Sequence, residues 1–449
     1  MYPSTGLQNA LNYMRQMSVA ENRVYHQYIP VITDSTTIGE FAAPLLTASD
    51  TTALNDFFGL LQKVVATAID SRKRYNNPLE MLEGDNMPLG QFVEDVYINP
   101  IRPIGFDVND FAGLLQKYDA EIAVQYLGIN SDLQYPVTIT REKVRNAFTS
   151  WNNLETFING IVNALYNGAY ITRYEQTKGL ILSAYKANNI MFENVSAVSD
   201  AATAKALVEK MRATFTKMKH ASTRFNAWKK VKGLDAPVLK VWSDPEDIVV
   251  VISSDVEAKV DVEVLAAAFN MSKTDFLGRV IVLDDFNQYN EDGSVAVDGS
   301  GIQAGIFDKA WFKIRTQDFA LDEFYNAKNR TWQYFLNDVR MCRYSVFANA
   351  VLFATSGSNP TIDATDVKLS KSSVSVKAGE TETVLVGLVP ANATSEVTVQ
   401  SSAPTYATAT ISEGKVVITG KLAGSATITV TANSHTATIS VTVTESASE

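Results

Sequence analysis

Two short stretches of the sequence carry residue types that could do chemistry. Asp284 and Asp285 follow the apolar run 280–283, and paired carboxylates at the end of a strand can hold a metal or move protons. No neighbouring acid, base or glycine loop supports that use, so a solvated turn is the favoured interpretation. Residues 299–304 (Gly-Ser-Gly-Ile-Gln-Ala) imitate a dinucleotide-binding loop, but they lead into a predicted strand instead of a helix. We therefore interpret them as a hairpin loop.

Histidine and cysteine offer no better candidate. His26, His220 and His435 are far apart, and none has a partner at the spacing of a metal site. The single cysteine, Cys342, lies among aromatic and apolar neighbours and predicts a small core residue. The sequence therefore predicts no catalytic residue, no metal and no cofactor, and we expect a protein that is not an enzyme.

Composition limits the possible partners. The chain has 449 residues, is 46% hydrophobic and carries a formal net charge of −10, so it will not attract a polyphosphate strongly as a whole. Its apolar runs are much shorter than the roughly 20 residues of a membrane span. The first residues lack the pattern of a secretory signal, so we expect folding in a cytoplasm and no membrane partner.

Basic residues cluster in two places. Arg72, Lys73 and Arg74 are consecutive, and a predicted amphipathic helix over residues 201–219 carries a second group, Lys205, Lys210, Arg212, Lys217 and Lys219. Either cluster could contact DNA or a neighbouring protein. The alternative, which is the more common one, is a solvated surface.

The apolar spacing predicts the elements that position these residues. Thr140 can cap a helix, and apolar residues recur every three or four positions from Val144 to Leu165, which predicts a helix over 141–167. Asn167-Gly168 is expected to end or break it, and a second helix is expected over 173–187. Residues 248–252 and 280–283 read as buried strands with a helix at 260–269 between them, which indicates a compact α+β or α/β subdomain.

Two further regions have a different character. Residues 72–110 contain Pro78, Pro88, Pro100 and Pro103 and an acidic turn, which favours a long excursion over packed helix. After the linker-like residues 356–360, residues 361–449 contain one aromatic residue and alternate apolar with polar positions, as at 374–376, 397–399, 416–418, 426–430 and 439–443. This tail is predicted to be a small β-sandwich of about six or seven strands.

Several segments resemble the major capsid protein of phi 29-type tailed bacteriophages. They include Thr-Ser-Trp-Asn-Asn-Leu at 149–154, and the full set is 77–79, 87–90, 148–157, 163–167, 210–214, 267–278 and 343–351. The tail resembles a bacterial Ig-like group 2 domain at residues 414–420 and 423–430. It departs from that pattern at residues 399–402, where such domains commonly carry a tryptophan.

The first resemblance implies an α+β Hong Kong 97-type capsid fold. Its parts would be an N-terminal arm and the start of the peripheral domain at 1–71, an E-loop at 72–110, the peripheral domain at 111–239 with a spine helix at 141–167, an axial core at 240–310, a return to the peripheral domain at 311–358, and the Ig-like domain at 359–449. The candidate inter-subunit contacts of the E-loop are Arg72, Lys73, Arg74, Pro78, Glu83, Asp85, Met87 and Pro88.

The expected function is that of a shell subunit in a tailed double-stranded DNA phage, found in the virion and made in the host cytoplasm. The expected partners are copies of itself as hexamers and pentamers of an icosahedral or prolate head, a scaffolding protein, a portal, and packaged DNA held by weak non-specific contact. The Ig-like domain is expected outside the shell, with host-surface polymers as a candidate target. The competing hypotheses are a bacterial surface adhesin and an enzyme with an appended binding module.

Overall fold

The computed structural model describes residues 3–47, 51–65, 75–87, 90, 92–105, 117–234, 236–260, 279–412 and 414–445. The chain forms two units. The first comprises residues 1–92, 128–177 and 314–342, and the second comprises residues 93–127, 178–313 and 343–449. Residues 261–269 of the predicted helix 260–269 lie outside the described residues.

The elements are numbered along the chain. The described helices are α1 (Thr5–Ala20), α2 (Tyr25–Tyr28), α3 (Ile38–Thr47), α4 (Thr52–Val65), α5 (Arg141–Ala147), α6 (Trp151–Lys186), α7 (Ala201–Met218), α8 (Trp228–Lys232) and α9 (Ser254–Glu257). The described strands of the first two thirds are β1 (Phe92–Ile98), β2 (Ile122–Gly128), β3 (Ser131–Thr140), β4 (Met191–Val195), β5 (Ile248–Ser253), β6 (Val280–Leu283), β7 (Gln288–Tyr289), β8 (Val295–Val297) and β9 (Ile302–Asp308). They are followed by β10 (Phe312–Asn326), β11 (Thr331–Tyr344), β12 (Ala350–Thr355), β13 (Asp366–Leu369), β14 (Ser373–Lys377), β15 (Thr381–Val389), β16 (Val397–Ser401), β17 (Ala407–Ser412), β18 (Lys415–Gly420), β19 (Gly424–Ala432) and β20 (His435–Thr444).

The described residues of the predicted N-terminal arm and start of the peripheral domain, 1–71, form packed helices in the first unit. Ser4 caps α1 by accepting a hydrogen bond from the Leu7 amide at 3.3 Å. Leu7, Leu11 and Met14 recur at helical spacing and are buried in the unit's core. A chain with such an apolar stripe gains more by folding onto the core than by extending into solvent.

An aromatic cluster and a three-stranded sheet, ordered β10-β11-β3, form the rest of the first unit. Phe41 from α3 stacks on Phe148 with ring centroids 5.6 Å apart, and it also packs against Trp151 at 5.4 Å. The predicted apolar stripe from Val144 to Leu165 is buried in this core. The periodicity therefore identified the buried side of these helices correctly.

The boundaries of the central helices differ from the prediction. Residues 148–150 separate α5 from α6, because Ser150 Oγ accepts a hydrogen bond from the Asn153 amide at 3.1 Å and so caps a new helix. The predicted break at Asn167-Gly168 is wrong, since α6 runs through both residues to Lys186. The side chain of Asn167 does not cap a helix end. Its Oδ1 accepts a hydrogen bond from the Tyr75 amide at 2.9 Å.

A five-stranded mixed sheet, ordered β4-β12-β9-β5-β6, organises the second unit. Both predicted strands, 248–252 and 280–283, are present as β5 and β6, which run parallel. Helix α7 packs its apolar side against this sheet through residues such as Leu207, Met211 and Phe215. The sheet thus draws on more of the chain than the predicted axial core at 240–310, because β4 and β12 also join it.

The C-terminal β-sandwich is confirmed and consists of two four-stranded sheets, β13-β15-β18-β17 and β14-β20-β19-β16. This is more than the six or seven strands expected. Its core is aliphatic: Val384, Val416, Ile418, Ile428 and Val430 are fully buried. Branched aliphatic side chains therefore form the centre of this core.

Among the helices that the structure describes, none is long and apolar enough to span a bilayer.

Two glycines within α6 provide a test of its packing. An added Cβ meets no atom within 4 Å at Gly160, whereas at Gly179 it would lie 2.0 Å from Nε2 of Gln288. We predict that Gly160→Ala raises the free energy of unfolding by about 1 kcal/mol, because alanine loses less backbone entropy in a helix. Gly179→Ala should gain less or destabilise, because the Gln288 side chain must move. Urea titrations measure both, and an equal gain at the two positions would contradict the packing described.

Candidate functional site

Strands β1 and β2 form a two-stranded hairpin whose two faces have different surroundings. In β1, exposed positions alternate with half-buried ones along all seven residues. Side chains of successive residues point to opposite faces of a strand, so one face is covered and the other is open.

The covered face is anchored to the second unit by side chains from both strands. Ala123 is buried in a small cluster with Trp228, Leu239 and Phe347. Asp95 accepts a hydrogen bond from Ser345 and pairs with Lys313 at 3.0 Å. These contacts fix the covered face of the hairpin on the second unit.

Asn99, just past the end of β1, fixes the ribbon further. Its Oδ1 accepts a hydrogen bond from the Lys240 amide at 2.9 Å, and its Nδ2 donates to the Val238 carbonyl at 3.0 Å and to Glu121 at 2.7 Å. Because Asn99 is buried and bonded on both sides, it ties the two strands to each other and to residues 238–240.

The open face carries large apolar side chains. In the strands themselves Ile98 is 61% exposed and Tyr126 is 66% exposed, and Ile101 beyond β1 reaches 81%. Among the described residues, the exposed large apolar side chains on the hairpin and its flanks are Phe92, Val96, Ile98, Ile101, Ile104, Tyr118, Ile122 and Tyr126. Exposed apolar side chains concentrated in one region of a protein mark a candidate contact site.

The hairpin, at residues 92–128, overlaps the end of the excursion predicted at 72–110, whose bounds as an E-loop stay a prediction. Residues Arg72, Lys73, Arg74 and Pro88 lie outside the described residues. Of the other predicted contacts, Pro78 and Asp85 are exposed, whereas Met87 is buried within the first unit. Backbone amides of Gly84 and Met87 donate to Ile314 and Thr316 of β10, so this segment packs against its own sheet.

Glu83, another predicted contact, belongs to a buried ionic cluster in the first unit. It accepts a hydrogen bond from Arg340 at 2.8 Å and lies 3.6 Å from Arg173. Arg173 in turn binds Asp338 with two hydrogen bonds of 2.8 and 2.7 Å. Burial lowers the pKa of Arg173, but Asp338 outweighs that effect and leaves the pKa above its ordinary value.

The predicted basic helix is confirmed as α7, and the structure divides its five cationic residues. Lys205, Arg212 and Lys217 are exposed. Lys210 donates to the Asn194 carbonyl at 2.5 Å, and Lys219 lies over the Phe215 ring at 4.4 Å. Four of the five residues, Lys210 among them, are exposed and Lys219 is half-buried, and the exposed acid Glu209 lies beside them.

The acidic pair has a partner that sequence reasoning missed. Lys178 of α6 is fully buried, and its Nζ lies 3.1 Å from Asp284 and 3.8 Å from Asp285. Asp285 also accepts a hydrogen bond from Tyr289, which raises the pKa of that phenol. The pair therefore forms part of an ionic contact with α6, which the solvated-turn interpretation did not include. No nearby sequence signal identified Lys178, because it is 106 residues away.

The remaining candidates have structural surroundings. His26 lies 3.1 Å from the Ser18 hydroxyl, His220 and His435 are exposed, and Cys342 is buried as predicted. Residues 298–301 connect β8 to β9, which lie in different sheets, so the predicted hairpin loop is wrong even though the predicted strand follows. Within the described ranges, no group of three or more His, Cys, Asp or Glu residues could hold a metal ion.

Asp338→Asn tests the ionic cluster. The substitution removes the carboxylate that makes both short hydrogen bonds to buried Arg173 and leaves only Glu83, at 3.6 Å, to balance its charge, so we predict a loss of about 3 kcal/mol in the free energy of unfolding. Asp318→Asn, an exposed acid on β10, is the matched control and should stay within about 0.5 kcal/mol of the parent protein. Chemical denaturation of the two variants measures both values. A loss at Asp338 no larger than at Asp318 would mean that the cluster is solvated.

Lys230 on α8 provides a pH-dependent test of the second unit. Its Nζ donates to the Ile190 carbonyl at 2.9 Å, and burial lowers its pKa to about 8. Between that value and the ordinary value near 10.5 the unfolded chain binds more protons, so this residue's contribution to stability increases as the pH rises through that window. We predict that Lys230→Met removes this increase, whereas Lys229→Met, at an exposed position, retains it. Thermal melts from pH 7.5 to 10.5 compare the slopes, and parallel slopes for the two variants would refute the assignment.

Two protein families match this chain. The Phi29-like phage major capsid protein family matches residues 15–354, and the bacterial Ig-like domain (group 2) family matches residues 363–443. The major capsid protein of Bacillus phage PZA is 28% identical over 382 residues, which are 84% of this chain and 79% of that protein. The major capsid protein of Streptococcus phage Cp-1 is 22% identical over 66% of this chain and 81% of that protein.

Solved structures agree on the fold. The capsid structure of Staphylococcus phage Andhra is similar with a TM-score of 0.52 and 17% identity, over 64% of this chain and 86% of that one. The predicted capsid fold with a C-terminal Ig-like domain is thereby confirmed, and the adhesin alternative is not favoured. Because the family match extends over most of the chain, the protein is a member of the Phi29-like phage major capsid protein family.

Proposed function

We propose that the open face of the β1–β2 hairpin is the surface through which one copy of this capsid protein binds the next. The observation that carries the proposal is the exposed apolar set on a ribbon whose opposite face is anchored by Asn99, Asp95 and Ala123. An anchored ribbon holds its open face in a defined orientation, and burying that face against another subunit removes the apolar surface from water.

The chemistry of the face favours a protein partner. The described residues of the hairpin and its flanks carry charges of both signs near the apolar side chains, with the acids Glu94 and Asp119 and the bases Arg102 and Lys117, and a polar rim of this kind around apolar side chains is typical of protein–protein interfaces. Family membership supplies a partner that is present in many copies, namely the same chain. Modest contacts repeated over a closed array give high stability by mass action.

The proposal also includes the other expected partners of a phage shell subunit. Hexamers and pentamers would form from these contacts with the help of a scaffolding protein and a portal, after synthesis in the host cytoplasm. The exposed Lys205, Arg212 and Lys217 of α7 are the candidates for weak contact with packaged DNA. The Ig-like domain would be displayed outside the shell, with host-surface polymers as candidate targets. Such a subunit works by contact and requires no active site.

Ile98→Ser combined with Ile122→Ser tests the docking face. Both side chains are exposed in the single subunit, so the variant should fold with unchanged circular dichroism. We predict at least a tenfold loss of assembled shells in electron micrographs of protein co-expressed with scaffold, because two large apolar contacts are removed at each docking site.

Leu422→Ser is the matched control, since it removes one exposed apolar side chain of the Ig-like domain. It should assemble like the parent protein. Normal shell yield from the double variant at Ile98 and Ile122 would exclude the hairpin face as a subunit contact. Tight binding of duplex DNA by the purified subunit at physiological salt would separately refute the proposal of weak genome contact.

A further inference from the structure

At the C-terminal end of α6, in the second unit, a residue of the Ig-like domain forms hydrogen bonds with the residues that follow the helix. Beyond Lys186 the chain turns through Asn188, which has a φ of +52° and so adopts the left-handed conformation that ends many helices. The Asn189 amide donates to Ala184 at 2.9 Å. The carbonyl of Ala187, the first residue after α6, lies at this helix end, where carbonyls are satisfied by groups from outside the helix.

Asn392, in the turn after β15, supplies those partners. Its Nδ2 donates to the Ala187 carbonyl at 2.6 Å and to Oδ1 of Asn189 at 3.0 Å. In the opposite direction, Nδ2 of Asn188 donates to the Asn392 carbonyl at 2.6 Å. Three hydrogen bonds therefore connect residues more than 200 positions apart in the sequence.

Apolar contact continues beside this clasp of Asn392 with residues 187–189. A Cβ added to Gly387 would lie 2.6 Å from the Leu234 side chain, so β15 and the residues after α8 are in direct contact. Gly233 faces Ala391 in the same way, at 3.1 Å from an added Cβ. Only glycine at position 387 allows this approach without moving Leu234.

The apolar contact between the residues after α8 and the Ig-like domain covers only part of the two facing surfaces. The hydrogen bonds of the clasp are therefore important for the attachment. Beside Leu234 a cleft of about 600 Å³ separates the residues after α8 from strands β15, β16 and β18. Apolar burial is limited where the two surfaces diverge, so the hydrogen bonds of Asn392 carry a large share of the attachment. The connecting residues are held as well, since Tyr185 donates to the Ser358 carbonyl and Asn359 donates to Asn194 at 2.9 Å.

From these contacts we propose that the Ig-like domain is seated on its own subunit and serves as the C-terminal cap of helix α6, with Asn392 as the capping residue. The surface at 187–189 and 233–234 is its binding site, and the partner is the turn at 390–392 of the same chain. The Ig-like domain thus stabilises its own subunit. When the domain detaches from residues 187–189, the C-terminal end of α6 frays. This proposal is independent of shell assembly, because every contact lies within one chain.

Hydrogen exchange of the unassembled full-length subunit tests the cap. In Asn392→Ala we expect peptides covering residues 184–190 to exchange about tenfold faster than in the parent protein, because the two hydrogen bonds donated by its side chain are lost. Gln400→Ala, an exposed amide on β16 of the same domain, is the matched control and should exchange like the parent protein. Peptides covering residues 426–443 report whether the Ig-like domain itself stays folded.

A second variant opens the same contact without touching Asn392. Gly387→Val places a side chain where Leu234 lies and suits a strand, so it should also speed exchange at 184–190 while 426–443 stays protected. Exchange at 184–190 within twofold of the parent protein in both variants would overturn the proposal. Loss of protection at 426–443 with 184–190 unchanged would overturn it too, because the helix end would then be stable without a folded domain above it.

Discussion

A two-stranded ribbon has two faces, and one subunit of this protein covers only one of them. A hairpin of two strands is marginally stable in water unless something packs on it. Here the second unit covers one side of β1 and β2 through Ala123, Tyr97 and Asp95, while Ile98, Ile122 and Tyr126 stay in solvent. The exposed apolar side chains on the other side are the basis of the proposal that this hairpin docks on another subunit, since such surfaces mark interaction sites.

The rest of the second unit serves to hold that ribbon in place. Its five-stranded sheet is covered by α7, which leaves the loops around α8 free to contact the hairpin through Leu239 and Phe347. In the first unit, the aromatic side chains around Phe41 form the core, and Arg173 is paired with Asp338. Helix α6 contributes residues to both units, with Leu165 in the core of the first and Ile181 buried in the second.

Sequence periodicity predicted the elements whose partners are local and missed the contacts between distant residues. The stripe from Val144 to Leu165, strands β5 and β6 and the tail sandwich follow from spacing alone. The long excursion predicted from the prolines of residues 72–110 overlaps the hairpin only at its end, and the segment around Met87 packs against β10. The pairings of Glu83 with Arg340 and of Lys178 with Asp284 join residues 257 and 106 positions apart, and no local pattern encodes them. The exposure of Ile98 and Tyr126 could not be predicted from the sequence. Alternation separates the two faces of a strand but does not tell which face another element covers.

Polar contacts within the chain and the exposed apolar surface have different roles in this molecule. The contacts within the chain that fix orientation are polar and geometrically specific: the amide of Asn99 at the hairpin, the carboxylate of Asp338 on Arg173 and the amide of Asn392 at the end of α6. The surface left for other copies is apolar and non-directional. An apolar contact gains free energy in many orientations, so it cannot by itself select the angle between two subunits. If the hairpin is the proposed docking surface, the angle would be set by the polar contacts that hold the ribbon, among them those of Asn99, which is buried inside one subunit.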